Sequence, residues 1–118
     1  MDVAALQNEL REFARARDWE RFHEPKNLTM ALTVEAAELM ELFQWSTDRE
    51  SREARSDPGI LDAAREEIAD VLIYLLRLSD VLGIDLESAV RTKIAVNAVK
   101  YPTDVSKGNA TKYDRRPR

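Results

Sequence analysis

Apolar residues recur every three to four positions through most of this chain, and no stretch alternates convincingly in the two-residue rhythm of a strand. Four helical segments follow from that pattern. The first covers roughly 3–18, where Val3, Leu6, Leu10, Phe13 and Ala14 share one face. The second covers roughly 27–45 and is apolar nearly all round, from Leu28, Met30 and Leu32 through Val34, Leu39 and Met40 to Leu42, Phe43 and Trp45. The third covers roughly 59–82, with Asp57 as its N-cap, Pro58 at its first position and Gly83 as its stop. The fourth covers roughly 86–100, capped by Asp85 and ended by Pro102.

The connections are polar. RDWERFHEPKN joins the first two segments, and Pro25 stops or starts a helix there. STDRESREARSDPG reads as an exposed loop, and the tail from Thr103 to Arg118 as an extended arm. The expected fold is therefore all-α: a four-helix bundle with an extended C-terminal arm. A helix as apolar as the second is buried on most sides, and a chain of 118 residues can hardly surround it, so a second copy is expected to complete the bundle.

Composition narrows the class. The length suits a single domain over residues 1–118. The chain has no cysteine, which excludes disulfides, thiolate metal sites and cysteine nucleophiles and suits a reducing cytoplasm, the expected compartment. Net charge is −4, with 18 basic and 22 acidic side chains well mixed. Apart from Arg115, Arg116 and Arg118 there is no basic stripe, so no nucleic-acid polymer is expected as a partner. The N-terminus lacks the apolar stretch of a signal peptide, and charges interrupt every apolar run, so no membrane partner is expected.

Four acids break the hydrophobic pattern. Glu35 and Glu38, and again Glu67 and Asp70, are spaced i,i+3 in the middle of an apolar helix face. At about 100° per residue each pair spans about 60°. Ala31, Leu28, Leu39 and Leu42 flank the first pair; Ala63, Ile60, Val71, Tyr74 and Leu78 flank the second. Glu41 turns to the wet side, and Glu66 is the poorer candidate of its helix. Ordinary surface carboxylates on amphipathic helices are the plain alternative. Against it, no Lys or Arg stands at i+4 from any of the four, and carboxylates facing a core repel one another and lose hydration unless a cation joins them. His23 is the single histidine and belongs to no Glu-x-x-His pair. An all-oxygen site favours Mg²⁺ or Mn²⁺, and Mg²⁺ typically bridges carboxylates to phosphate, which makes a nucleotide polyphosphate the natural substrate class.

Two further groups fit such a substrate. Lys93, Asn97 and Lys100 share a face of the fourth segment and could hold phosphates, or could simply be solvated. Trp19, Phe22, His23 and Trp45 could line a flat pocket for a base, with Tyr74 one turn beyond Asp70 near the sugar; core packing is the alternative for each aromatic.

EAAELMELFQW followed by EEIADVLIYLLRL, with RDWERFHEPKN before and KIAVNAVKYP and SKGNATKY after, resembles the MazG-like all-α nucleotide pyrophosphohydrolases, most of all their dCTP pyrophosphatase branch. The resemblance covers roughly residues 6–113. It implies a magnesium site on Glu35, Glu38, Glu67 and Asp70, base and sugar contacts from Trp19, His23, Trp45 and Tyr74, and a fourth-helix pattern on Lys93, Asn97, Lys100 and Tyr101, with Lys112 and Tyr113 in the tail. Val34 replaces the first of two adjacent glutamates in the broader signature, which the dCTP branch tolerates. Leu10 stands where some dCTP pyrophosphatases carry histidine, which bears on base selectivity. The implied activity is Mg-dependent hydrolysis of dCTP or a modified dCTP to the monophosphate and pyrophosphate, as nucleotide-pool house-cleaning by a homodimer or tetramer, with Glu38 chosen as general base. The alternatives are the same chemistry on dUTP or another dNTP, and a non-catalytic helical oligomer that binds through the same faces.

Overall fold

Side-chain caps set where four of the helices begin. In the computed structural model, which describes residues 1–108 and Ala110, Asp2 accepts from Ala5 N and opens α1, Val3–Ala16. Pro25 occupies the first turn of α2, Pro25–Glu41. Thr47 opens α3, Asp48–Glu53; Asp57 accepts from Gly59 N and Ile60 N and opens α4, Pro58–Val81. Asp85 accepts from Ser88 N and opens α5, Leu86–Lys100, and α6 is the single turn Thr103–Ser106. Short 3₁₀ turns, Glu20–Phe22 and Ala54–Ser56, complete the set, and no strand occurs among the described residues.

Two helices end in the same way. After α4, Gly83 takes φ 68°, Ile84 N donates to Ser79 O and Gly83 N to Asp80 O, the crossed pair of bonds that satisfies a helix's last carbonyls. After α1, Asp18 takes φ 54° in that role, with Trp19 N bonded to Ala14 O and Asp18 N to Arg15 O. Asp is one of the few side chains that tolerate this backbone, and it ends α1 at Ala16 rather than at residue 18.

The second segment differs from expectation at both ends. Pro25 starts it two residues early because proline suits a first helical turn. Beyond Glu41, Leu42 N and Phe43 N turn back to Leu39 O and Met40 O, so 42–45 wind as tight turns. The expected loop after it contains α3, because Thr47 and Glu50 form a reciprocal cap: Glu50 N donates to Thr47 Oγ1 and Thr47 N to Glu50 Oε1, both at 3.1 Å. The expected extended arm begins instead with the turn of α6; Asn109 and residues 111–118 lie outside the described residues.

The chain divides into two compact units, Met1–Ile84 and the residues from Asp85 on. Within the first, α2 and α4 form the principal helix pair and α1 packs on α4. Ala14, Leu28, Ala54, Ala64 and Leu76 are its buried apolar residues. Polar clasps fasten α1 to α4: Gln7 Nε2 donates to Leu76 O and Ser79 Oγ, and Arg11 grips both oxygens of Asp80, at 2.8 and 3.1 Å. Along α2, Met30, Val34 and Met40 are each more than half exposed. No helix of the described residues is long and apolar enough to cross a membrane.

Candidate metal centre and active site

The α2–α4 pair carries the acids. Glu35 and Glu38 are one turn apart on α2, and Glu67 lies in α4. One carboxylate oxygen from each of the three can be chosen so that all lie within 4.8 Å of one another. Glu35 and Glu67 are half-buried, whereas Glu38 is exposed. Asp70 is half-buried one turn along α4 and does not join this group. Glu41 and Glu66 are exposed and outside the group.

As carboxylates, Glu35 and Glu67 each leave a buried oxygen, Oε2, without a hydrogen-bond partner. Buried polar atoms are ordinarily satisfied, and charged ones at greater need. A proton is one remedy. The hydrogen bond to Glu35, which needs a proton between the two carboxyls, then burial, then the charge of Glu38, push the Glu67 carboxyl up to about 7. A cation is the other remedy, and the donor set, oxygen throughout with no nitrogen or sulfur among the three, fits a hard divalent ion.

The remaining site candidates fall into distinct settings. Tyr74 is half-buried in α4, one turn beyond Asp70. Trp19 meets Phe13 edge to face at 5.8 Å, so part of its surface serves packing. Trp45 is 89% exposed and in no ring pair among the described residues, which leaves core packing without support for it. Arg21 lies over the ring of the exposed Phe22 at 4.7 Å. His23 is half-buried and accepts at Nδ1 from Arg77 Nε, at 2.9 Å. Burial first, then the charge of Arg77, hold its pKa below the ordinary value, against an opposing pull from Glu20. Lys93 and Asn97 are exposed on α5, and Lys100 is half-buried at its last position. Lys112 and Tyr113 lie outside the described residues.

Arg77 was not among the expected residues. Its signal in the sequence is a single cation inside VLIYLLRL, seven residues after Asp70 and thus on the same helix face.

An all-helical chain with acids paired across two helices defines the class. The chain belongs to the MazG-like family, whose model matches residues 30–115. Among solved structures it is similar to a pyrophosphatase from Archaeoglobus fulgidus, with TM-score 0.76 and 44% identity over 86% of this chain and 94% of that one. It is 47% identical over 107 residues to dCTP pyrophosphatase 1 of Rattus norvegicus, covering 91% of this chain and 63% of that protein. To the Homo sapiens protein of the same name it is 44% identical over 106 residues, 90% of this chain and 62% of that one. The chain thus spans less than two thirds of the length of these curated relatives.

Proposed function

We propose that this protein hydrolyses a nucleoside triphosphate, dCTP or a modified dCTP, to the nucleoside monophosphate and pyrophosphate, using Mg²⁺ (or Mn²⁺) held by Glu35, Glu38, Glu67 and Asp70. The observation that carries this reading is the convergence of three glutamates from α2 and α4 with two buried, unpartnered carboxylate oxygens. The likeness to proteins named dCTP pyrophosphatase 1 supports the substrate class.

A bound divalent cation would supply neutralisation of phosphate charge and a more acidic water at the site. The chain's own residues do the rest. Water oxygen forms a bond to the α-phosphorus, the bond from that phosphorus to the bridging oxygen breaks, and pyrophosphate leaves. Glu38, the exposed member of the trio and so open to solvent, takes the water's proton. Glu35 and Glu67, more buried, hold position. Trp19, His23, Trp45 and Tyr74 hold base and sugar, the exposed face of Trp45 offering a stacking surface. Lys93, Asn97 and Lys100 hold phosphate oxygens.

The matched stretch, residues 30–115, runs through both compact units, which supports one functional domain. The half-exposed apolar side chains of α2 support a homo-oligomer, dimer or tetramer, that covers them. The reading places the enzyme in the cytoplasm, clearing the nucleotide pool.

The test is Glu38→Gln assayed beside wild type on a panel of canonical and modified triphosphates with Mg²⁺. Wild type should release pyrophosphate and monophosphate, with dCTP or its analogues preferred. The variant should lose at least about a hundredfold in kcat, the scale of general-base catalysis, with its oligomer unchanged. Full activity in the variant would refute the metal-site assignment. A preference for dUTP or another dNTP would keep the chemistry and change the substrate.

A further inference from the structure

A buried arginine decides which nitrogen of the chain's single histidine carries hydrogen. The Arg77 side chain is 9% exposed. Its Nε donates to His23 Nδ1 at 2.9 Å and its Nη1 to Asp80 Oδ2 at 3.2 Å. A guanidinium has donors only. The ring nitrogen facing it must therefore be bare, and a neutral ring then carries its hydrogen on Nε2. Asp80 is itself held by Arg11, so the guanidinium cannot swing away from His23 without disturbing a partly buried three-residue ion cluster. Nε2 has no hydrogen-bond partner among the described residues.

We propose that Arg77 is a positioning residue that holds His23 as a neutral Nε2–H donor, so that the imidazole meets an acceptor edge of the nucleobase. This rests on the nucleotide reading above. Cytosine offers O2 and an unprotonated N3 side by side, whereas uracil and thymine carry hydrogen on N3. O2 accepts in all three bases, so discrimination lies at N3: a donor aimed there pairs with cytosine and confronts N3–H in the other two, where a histidine free to change tautomer could adapt to either. Burial, Arg77 and Glu20 are the influences on the ring's protonation, and the first two keep it neutral. The lock spans α1, α4 and the connection that follows α1, which ties base recognition to the packing of the bundle.

The experiment is nitrogen NMR of the full chain labelled in its one histidine, joined to steady-state kinetics. Wild type should show hydrogen on Nε2 and a bare Nδ1; this measurement needs no variant. Arg77→Met should show mixed tautomers. It should also raise KM for dCTP about tenfold, the scale of one hydrogen bond, with kcat changed less than about threefold, and should narrow the preference for dCTP over dUTP. An Nδ1–H ring in wild type, or an unchanged tautomer in the variant, overturns the lock. Turnover of dCTP with an Nδ1–H ring would leave the enzyme reading standing without it. The expected tautomer with no turnover of any triphosphate would keep the lock and remove the nucleotide reading, and with it the donor role.

Discussion

Glu67 is the residue on which the electrostatics of the site turn. Its carboxyl stands at about 7 against an ordinary 4.5, so between those values the folded protein holds a proton that the unfolded chain does not. Without metal, this group's contribution to stability is complete below pH 4.5 and is lost as pH rises through about 7. A divalent cation needs the carboxylate form, so binding must expel that proton. Calorimetric titration with Mg²⁺ in buffers of different ionisation enthalpy should find about one proton released at about pH 6 and almost none at about pH 8. Release that is absent, or the same at both, would place the ion elsewhere. The wheel positions of Glu35, Glu38 and Glu67 were legible in the sequence because carboxylates interrupting an apolar stripe are conspicuous. Asp70 was read from the same stripe, and Arg77 was not read at all. Asp70 shares the stripe but stands outside the close trio. Arg77 drew no notice because its partner His23 lies 54 residues away, a separation that no local spacing reveals.

Among the elements, periodicity found the four long helices, and their ends were decided by local chemistry. α3 is polar on every side and owes its start to the Thr47–Glu50 cap, which also holds the Glu50 carboxyl below its usual range through hydrogen bonds from the Thr47 backbone and hydroxyl. A hydrophobic pattern cannot show such a helix, although the T-x-x-E spacing could have. The stop of α4 was legible because Gly83 supplies a backbone that other residues resist. A Cβ built there meets nothing within 4 Å, so Gly83→Ala tests the backbone alone. It should lower stability by about 1 kcal/mol in denaturant titration. No loss would mean that α4 ends in another conformation in solution.

At the scale of the whole molecule, the all-round apolarity of the second segment raised the expectation of a partner, and α2 carries exposed apolar side chains: Val34 is 55% and Met40 58% exposed, and Ile68 on α4 is 55% exposed. Single apolar side chains on a surface are ordinary, but several on neighbouring helices fit the homo-oligomer proposed above. Val34→Arg should therefore weaken self-association by more than about tenfold, seen as a lower mass in sedimentation, while the helical content stays unchanged. An unaltered mass would move the interface away from this face. The acids adjoin these open residues on α2, so dissociation is also expected to reduce catalysis.

The most direct test follows dCTP and Mg²⁺ by phosphorus NMR in isotope-labelled water, with the full chain as catalyst. Pyrophosphate and dCMP should form in equal amounts, with the label on the dCMP phosphate because water attacks the α-phosphorus, and chelation of the metal should stop the reaction. Orthophosphate as the product, label on the pyrophosphate, or turnover indifferent to the chelator would contradict an acid site built to hold a cation for cleavage between the α- and β-phosphates.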